Sequence, residues 1–365
     1  MNKIQALREE LNKALLERSA EIDGALVAML SGQHVLFLGP PGTAKSLLSN
    51  LICQAIDGAA YFSWLLTKFS TPEEIFGPIS LSGLEKDQYS RVTTGKLPEC
   101  HVAFLDEIFK ANSAILNSLL TALNERKFYN NGAPREIPLT VAFGASNELP
   151  QGEELGALYD RFPLRFWVAY LQDQDDFKAL LRSSRSYQIK TKLSLDELNQ
   201  MQNEVDRVSI PESIIDLIDT IRIQLMSKGI IVSDRRWKNC IRILQAYAYL
   251  NGNNSVCSPD LDILCNVLWD KPDQFKTIVA TIVPLTNPMK FKALECFDSA
   301  REIYTEWSKT KEQAQGIAAQ AQLKDILKKI DDLLSTVKPE LAQALKESRT
   351  KVEEFSRTII KELIG

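Results

Sequence analysis

Short apolar runs alternate with amphipathic stretches over the first half of the chain. Val35-Leu36-Phe37-Leu38, the run at 101–107 and the stretch at 139–147 have the length and composition of buried strands. Residues 61–70 read as another strand. Helical patterning separates these runs, which predicts a parallel sheet between helices from about 34 to 170. Residues 3–31 read as helix, with Glu9, Glu10, Arg18 and Glu21 interleaved among apolar positions. Residues 71–78 start a short helix and leave it in a turn. The polar, glycine-containing segment that follows, to Leu97, reads as an insertion with hairpin character. A second hairpin is expected over 127–137, where Asn131-Gly132 suits a tight turn.

From about 190 the pattern turns helical. Ser194-Leu195-Asp196-Glu197 is a capping box. Pro211 opens a helix whose apolar face is Ile214, Ile215, Ile218, Ile221 and Leu225, and Gly229 stops it. Ser233 caps the next helix, Asn251-Gly252 ends it, and Ser258-Pro259 opens another. Leu323, Ile326, Leu327, Ile330, Leu333, Leu334 and Val337 form an amphipathic stripe, Pro339 interrupts it, and Val352, Phe355, Ile359 and Leu363 mark a second. Neither stripe sustains several heptads, so a helical hairpin packed on its own protein is favoured over a free coiled coil. The chain divides into an α/β core over 1–188, a helical domain over 189–285 and a C-terminal helical bundle or hairpin over 286–365.

The chemistry begins after the first strand. Gly39-Pro40-Pro41-Gly42-Thr43-Ala44-Lys45-Ser46 follows Leu38 directly, and Ser46-Leu47-Leu48 begins a helix. This is the phosphate-binding P-loop pattern in its strand–loop–helix setting, with Ala44 where the last glycine is expected. Successive backbone N–H groups at a helix N-terminus make an anion cradle. Lys45 would reach the outer phosphates of a nucleoside triphosphate, and the Ser46 hydroxyl would ligate magnesium. Alanine at 44 costs little provided its backbone is right-handed, because only a positive φ demands glycine. The run at 101–107 ends in Asp106 and Glu107. The first would serve the magnesium, and the second would orient and deprotonate an attacking water. Asn147 ends the next strand and is placed to hold the lytic water or the terminal phosphate.

Bulk properties narrow the classes. The 365 residues carry a net charge of −4, which offers no footprint for nucleic acid. No apolar run approaches the length of a membrane helix, and the N-terminus carries no signal-peptide pattern. The six cysteines lack metal spacing and read as reduced thiols of a cytoplasmic protein. With only His34 and His101 present, zinc sites and histidine triads are poorly supported.

With these residues placed, the chain resembles the MoxR branch of AAA+ ATPases, and within it the RavA-like ATPases. The carriers are the loop at 39–46 with Ala before the lysine, the segments at 71–77 and 104–107, Asn117-Ser118-Leu119-Leu120-Thr121-Ala122-Leu123-Asn124-Glu125-Arg126, and 144–147. Leu158-Tyr159-Asp160-Arg161-Phe162 and Ser233-Asp234-Arg235-Arg236-Trp237 complete the set. The resemblance covers residues 1 to about 285 well and the tail loosely. It implies an AAA+ core with a helix-2 insert at about 71–97, a pre-sensor-1 hairpin at about 126–137 and a helical lid. It implies ATP and Mg²⁺ as ligands, with nucleotide contacts over 39–47. Arg161 matches the arginine finger that acts on a neighbouring subunit's nucleotide, with Arg165 close by as a residue that could share or replace it. Arg235 matches the sensor-2 arginine, with Arg236 as the alternative. Assembly into a hexameric ring and a partner carrying a von Willebrand factor A domain are also implied. RavA-like proteins interrupt their C-terminal bundle with a small β-rich domain, for which 286–365 has no room.

The function so implied is a ring-forming ATPase that remodels a protein client. An ATP-gated scaffold or sensor, whose output is assembly state, is the alternative. A DNA motor rests only on Arg126, Lys127 and Arg135 near the hairpin, and the acidic balance opposes it.

Overall fold

The computed structural model describes residues 3–182, 187–337 and 342–364. Its strands are β1 (Val35–Leu38), β2 (Ile56–Asp57), β3 (Tyr61–Leu65), β4 (Val102–Asp106), β5 (Lys127–Asn130), β6 (Ala133–Glu136), β7 (Val141–Ser146), β8 (Leu164–Trp167) and β9 (Leu193–Ser194). Five of them make one sheet in the order β3-β4-β7-β1-β8. All its pairings are parallel, with Val35 opposite Phe143 on one side and Leu164 on the other. Every residue of β1 and β7 is buried. Helices cover both faces of such a sheet, which is why these strands read as unbroken apolar runs. Because the strands are parallel, β1, β4, β7 and β8 end at the same edge, where ligands of open α/β sheets bind.

Three local expectations need correction. The strand expected over 61–70 stops at Leu65, and residues 66–71 leave the sheet as a loop with Phe69 exposed. The helix expected over 3–31 is two helices, Lys3–Ala14 and Ser19–Ser31, broken at Glu17, whose φ is 53°. The hairpin character of the insertion reduces to one antiparallel bridge, Ile79 to Arg91, around the short helix Leu81–Leu84.

The second hairpin forms as expected. β5 and β6 pair antiparallel, and Asn131 and Gly132 both take positive φ in the turn. The insertion and the hairpin are joined by one side chain. Asn130 is buried; its Oδ1 accepts the Arg91 N–H at 2.7 Å and its Nδ2 donates to Arg91 O at 3.1 Å. The N–H of Asn131 adds a bond to Tyr89 O at 3.1 Å. Arg126 is not a surface cation. Its Nη2 donates to Gly32 O at 2.7 Å and Thr140 O at 3.3 Å, and burial pushes its pKa down to about 10. His34 is buried; its Nδ1 accepts the Ala142 N–H at 3.0 Å, and burial drives its pKa well below the usual value, so it stays neutral.

The helical region follows its sequence signals. Ser194 and Glu197 form the reciprocal capping box at the start of the helix Leu195–Val205. Pro211 precedes the helix Glu212–Ser227, and Ser233 caps the helix Asp234–Leu250. Residues from Ile4 to Val283 share one hydrophobic cluster, so the sheet and the helices after it are packed together. The C-terminal helices have a second cluster of their own. The expected hairpin gains a third helix there: Pro288–Thr310 joins Gln313–Thr336 and Gln343–Ile364. Leu323, Ile330, Val352 and Ile359 of the two stripes are fully buried in it. Pro339 lies outside the described residues.

Candidate active site

The loop after β1 is shaped by backbone constraints that residue choice answers unequally. Gly39 has φ 135°, and a Cβ there would stand 2.2 Å from Val168 O, so only glycine fits. Gly42 has φ 77°. Ala44, ahead of the helix Lys45–Gln54, has φ 66° and ψ 20°. The right-handed backbone that would make alanine cheap there is absent, and Ala44 carries the strain of a left-handed residue. Ala44→Gly is therefore expected to raise stability by about 0.5–1 kcal/mol. Chemical denaturation measures this, and an unchanged or lower midpoint would contradict the strain.

Lys45 lies back over the loop. Its Nζ donates to Gly39 O at 2.6 Å and Pro40 O at 3.2 Å, and Thr43 Oγ1 donates to Pro40 O at 3.1 Å. Burial pulls the Lys45 ammonium below its ordinary pKa, and the carboxylates of Asp106 and Glu107 oppose that shift. Of the two acids, Asp106 ends β4 and Glu107 follows it. Asp106 Oδ1 accepts the Glu107 N–H at 3.0 Å. Glu107 has φ 50°, a left-handed conformation uncommon outside glycine and found at functional sites. Its Oε1 accepts from Asn147 Nδ2 at 3.0 Å. Its Oε2 is buried without a hydrogen-bond partner, with Lys110 Nζ at 3.3 Å.

These residues share one pocket of about 120 Å³, lined by residues 41–46 with Phe104, Asp106, Glu107 and Asn147. The structure thus brings together Lys45, Ser46, Asp106, Glu107 and Asn147 from three strand ends. A neighbouring apolar cavity of about 310 Å³ opens on Gly42, Thr43, Ala44 and Leu47. Its far walls are Leu15, Leu16 and Arg18 from the break between the first two helices, and Tyr170, Leu171, Phe177 and Tyr187 after β8. Sequence reading missed these residues. The available signal was Phe177, Leu180 and Leu181 at helical spacing in Gln174–Arg182, a helix with no fully buried residue.

The four arginines divide by burial. Arg165 is fully buried: it donates to Trp269 O at 2.6 Å, Asp270 Oδ1 at 2.9 Å, Phe162 O at 2.9 Å and Tyr159 O at 3.1 Å. Its guanidinium also covers the Tyr159 ring at 3.6 Å. Arg236 bridges Asp160 at 3.1 Å and Asp270 at 2.8 Å and is also buried. Arg161 and Arg235 are held loosely, 4.0 and 3.9 Å from Asp160 Oδ2, and the Arg235 side chain is 58% exposed. Burial, then the nearby Arg235, lowers the pKa of Arg161. Neither Arg161 nor Arg235 lines the two cavities just described.

Residues 2–209 match the family described as the MoxR domain in the MoxR-vWA-beta-propeller ternary systems, and residues 213–282 match an AAA lid domain. An uncharacterized protein of Methanocaldococcus jannaschii is 39% identical over 99% of this chain and 97% of its own length. A second uncharacterized protein of that organism is 42% identical over 81% of this chain and 77% of its own. The solved structure of a candidate ATPase from Cytophaga hutchinsonii superposes with a TM-score of 0.63 at 19% identity, covering 77% of this chain and 94% of that one. That likeness is one of fold: a parallel five-stranded sheet with helices, then a helical lid. Among the described residues no helix is long and apolar enough to cross a membrane. The family match spans more than half of the chain and runs from the loop at 39–46 through Arg161, and on that ground the chain belongs to the MoxR family of AAA+ ATPases.

Proposed function

We propose that this chain is a RavA-like MoxR ATPase that binds Mg-ATP at the subunit interfaces of a hexameric ring in the cytoplasm and uses hydrolysis to remodel a protein client. The observation that carries the reading is the pocket joining Lys45, Ser46, Asp106, Glu107 and Asn147. The phosphates would lie along 39–46 and the base in the apolar cavity beside Ala44 and Leu47. The Ser46 hydroxyl and an Asp106 oxygen suit magnesium, a hard cation that takes one or two protein oxygens and fills its shell with phosphate and water. Magnesium would neutralise charge on the phosphate oxygens.

Glu107 takes a proton from a water as its oxygen attacks the terminal phosphorus and the bond to the ADP oxygen breaks. Asn147, donating to Glu107 Oε1, fixes the orientation of the carboxylate. Lys45 would exchange its loop carbonyls for phosphate oxygens. Arg161 is assigned as the finger, because Arg165 has spent its donors inside the fold. Arg235 is assigned as sensor 2, because Arg236 is buried between two carboxylates. The family description supports a von Willebrand factor A protein as partner.

Lys45→Ala tests the cradle. Loss of a charge-assisted bond costs about 1.5–3 kcal/mol, so ATP affinity is expected to fall roughly ten- to hundredfold. Titration calorimetry with Mg-ATP reads this, and undiminished binding would remove the assignment.

A further inference from the structure

The break between the helices Lys3–Ala14 and Ser19–Ser31 falls beside the apolar cavity, and two charged residues in it do more than turn the chain. Glu17 holds φ 53°, which a non-glycine residue keeps only where its surroundings enforce it. Its carboxylate accepts the Gln172 N–H at 3.0 and 2.9 Å through its two oxygens, and the Asp173 N–H at 2.7 Å. Arg18 is buried, at 8% exposure. It donates only to carbonyls: Nη1 to Glu17 O at 2.7 Å, Nη2 to Ala169 O at 2.6 Å and Nε to Thr43 O at 3.3 Å.

These acceptors belong to two walls. Residues 169–173 carry Tyr170 and Leu171 into the apolar cavity and lead into the helix that supplies Phe177. Thr43 is in the phosphate loop. The pair therefore pins the base wall with four hydrogen bonds, three accepted by Glu17 and one donated by Arg18 Nη2, and reaches the loop with a fifth, from Arg18 Nε. There is an electronic effect besides. A guanidinium that donates to Thr43 O polarises the Thr43–Ala44 peptide, whose N–H becomes a stronger donor for an anion. Arg18 donates to carbonyls rather than carboxylates, and the buried Glu21 carboxylate beside it offsets part of its charge, so its direct hold on the loop is the bond to Thr43 O.

We propose that Glu17 and Arg18 are a positioning pair that couples base recognition to phosphate binding. The proposal rests on the reading of 39–47 as an ATP cradle. Arg18 sets the distance between the base wall and the loop, and Glu17 anchors the far end of that wall.

The test is titration calorimetry of the full chain with Mg-ATP and with Mg-tripolyphosphate, an anion without a base, alongside steady-state kinetics. Arg18→Met is expected to weaken Mg-ATP about ten- to hundredfold, the range for a lost charged hydrogen bond, and to weaken tripolyphosphate as well. Its KM for ATP rises in parallel, while kcat falls far less than KM rises. Glu17→Gly relaxes the backbone but frees the base wall, so it weakens Mg-ATP roughly three- to tenfold, as for a lost hydrogen bond, and spares tripolyphosphate. Arg18→Lys keeps the charge but not the fork, and restores tripolyphosphate binding more than ATP binding. A merely structural role would weaken both ligands alike in all three variants, which overturns the proposal. Wild-type Mg-ATP affinity in Arg18→Met and Glu17→Gly overturns it too. If Arg18→Met does not fold, Glu17→Gly decides alone. A wild-type chain that binds no Mg-ATP would instead overturn the nucleotide reading itself.

Discussion

Arg161→Ala is expected to lower ATP turnover by roughly 10³–10⁵-fold, the range for a finger supplied in trans, with little change in the affinity of one chain for ATP. The position of the side chain argues for this. Arg161 lines neither cavity of its own chain. Its Nε is buried without a partner, and its nearest carboxylate, Asp160, stands at 4.0 Å. A guanidinium so weakly satisfied at home is suited to a phosphate on another copy, where it would stabilise charge that develops only in the transition state. Mixing supplies the second arm. Lys45→Ala chains keep the finger and lose the cradle, whereas Arg161→Ala chains do the reverse. Combined in equal amounts they are expected to recover turnover that neither shows alone. A silent mixture of chains that still co-assemble, or full turnover by Arg161→Ala, would end the trans assignment.

Glu107→Gln should leave ATP bound but slow its cleavage by about 10²–10⁴-fold, the usual contribution of a general base. The amide keeps an oxygen for the Asn147 Nδ2, so the local geometry survives, and what goes is the ability to take a proton. Single-turnover cleavage of bound ATP is the measurement. Cleavage at the wild-type rate would move the base elsewhere. The same variant separates a remodelling motor from an ATP-gated scaffold: if its chains, loaded with ATP, still support the cellular role, turnover is not the output.

What could be read from the residues was the part written in contiguous form. The apolar runs of β1, β4 and β7 are buried on both sides, so each appears as a run. The acids and the amide follow those runs directly, and their meeting in one pocket follows from parallel strands ending at one edge. The apolar cavity was not legible in this way. Leu16 lies far in sequence from Tyr170 and Phe177, and no periodicity links it to them. The break at Glu17 was hidden for a related reason. Glutamate and arginine are good helix formers, and what stops the helix is a set of bonds to residues about 150 positions away. Ala44 shows the opposite failure: the residue was seen, but its conformation is set by the loop rather than by its own preference. The buried and half-free arginines look alike as letters, and only packing tells Arg165 from Arg161.

Asn130 has a mechanical meaning. Its amide stands in for a missing strand and clasps Arg91 on both edges, so the insertion and the β5–β6 hairpin cannot be displaced separately without breaking that clasp. Phe76 and Phe128 stack beneath them with centroids 5.4 Å apart. A load applied to either excursion is therefore borne by both, and is delivered to the sheet at two points, the approach to β4 and the approach to β7, the strands that Glu107 and Asn147 directly follow.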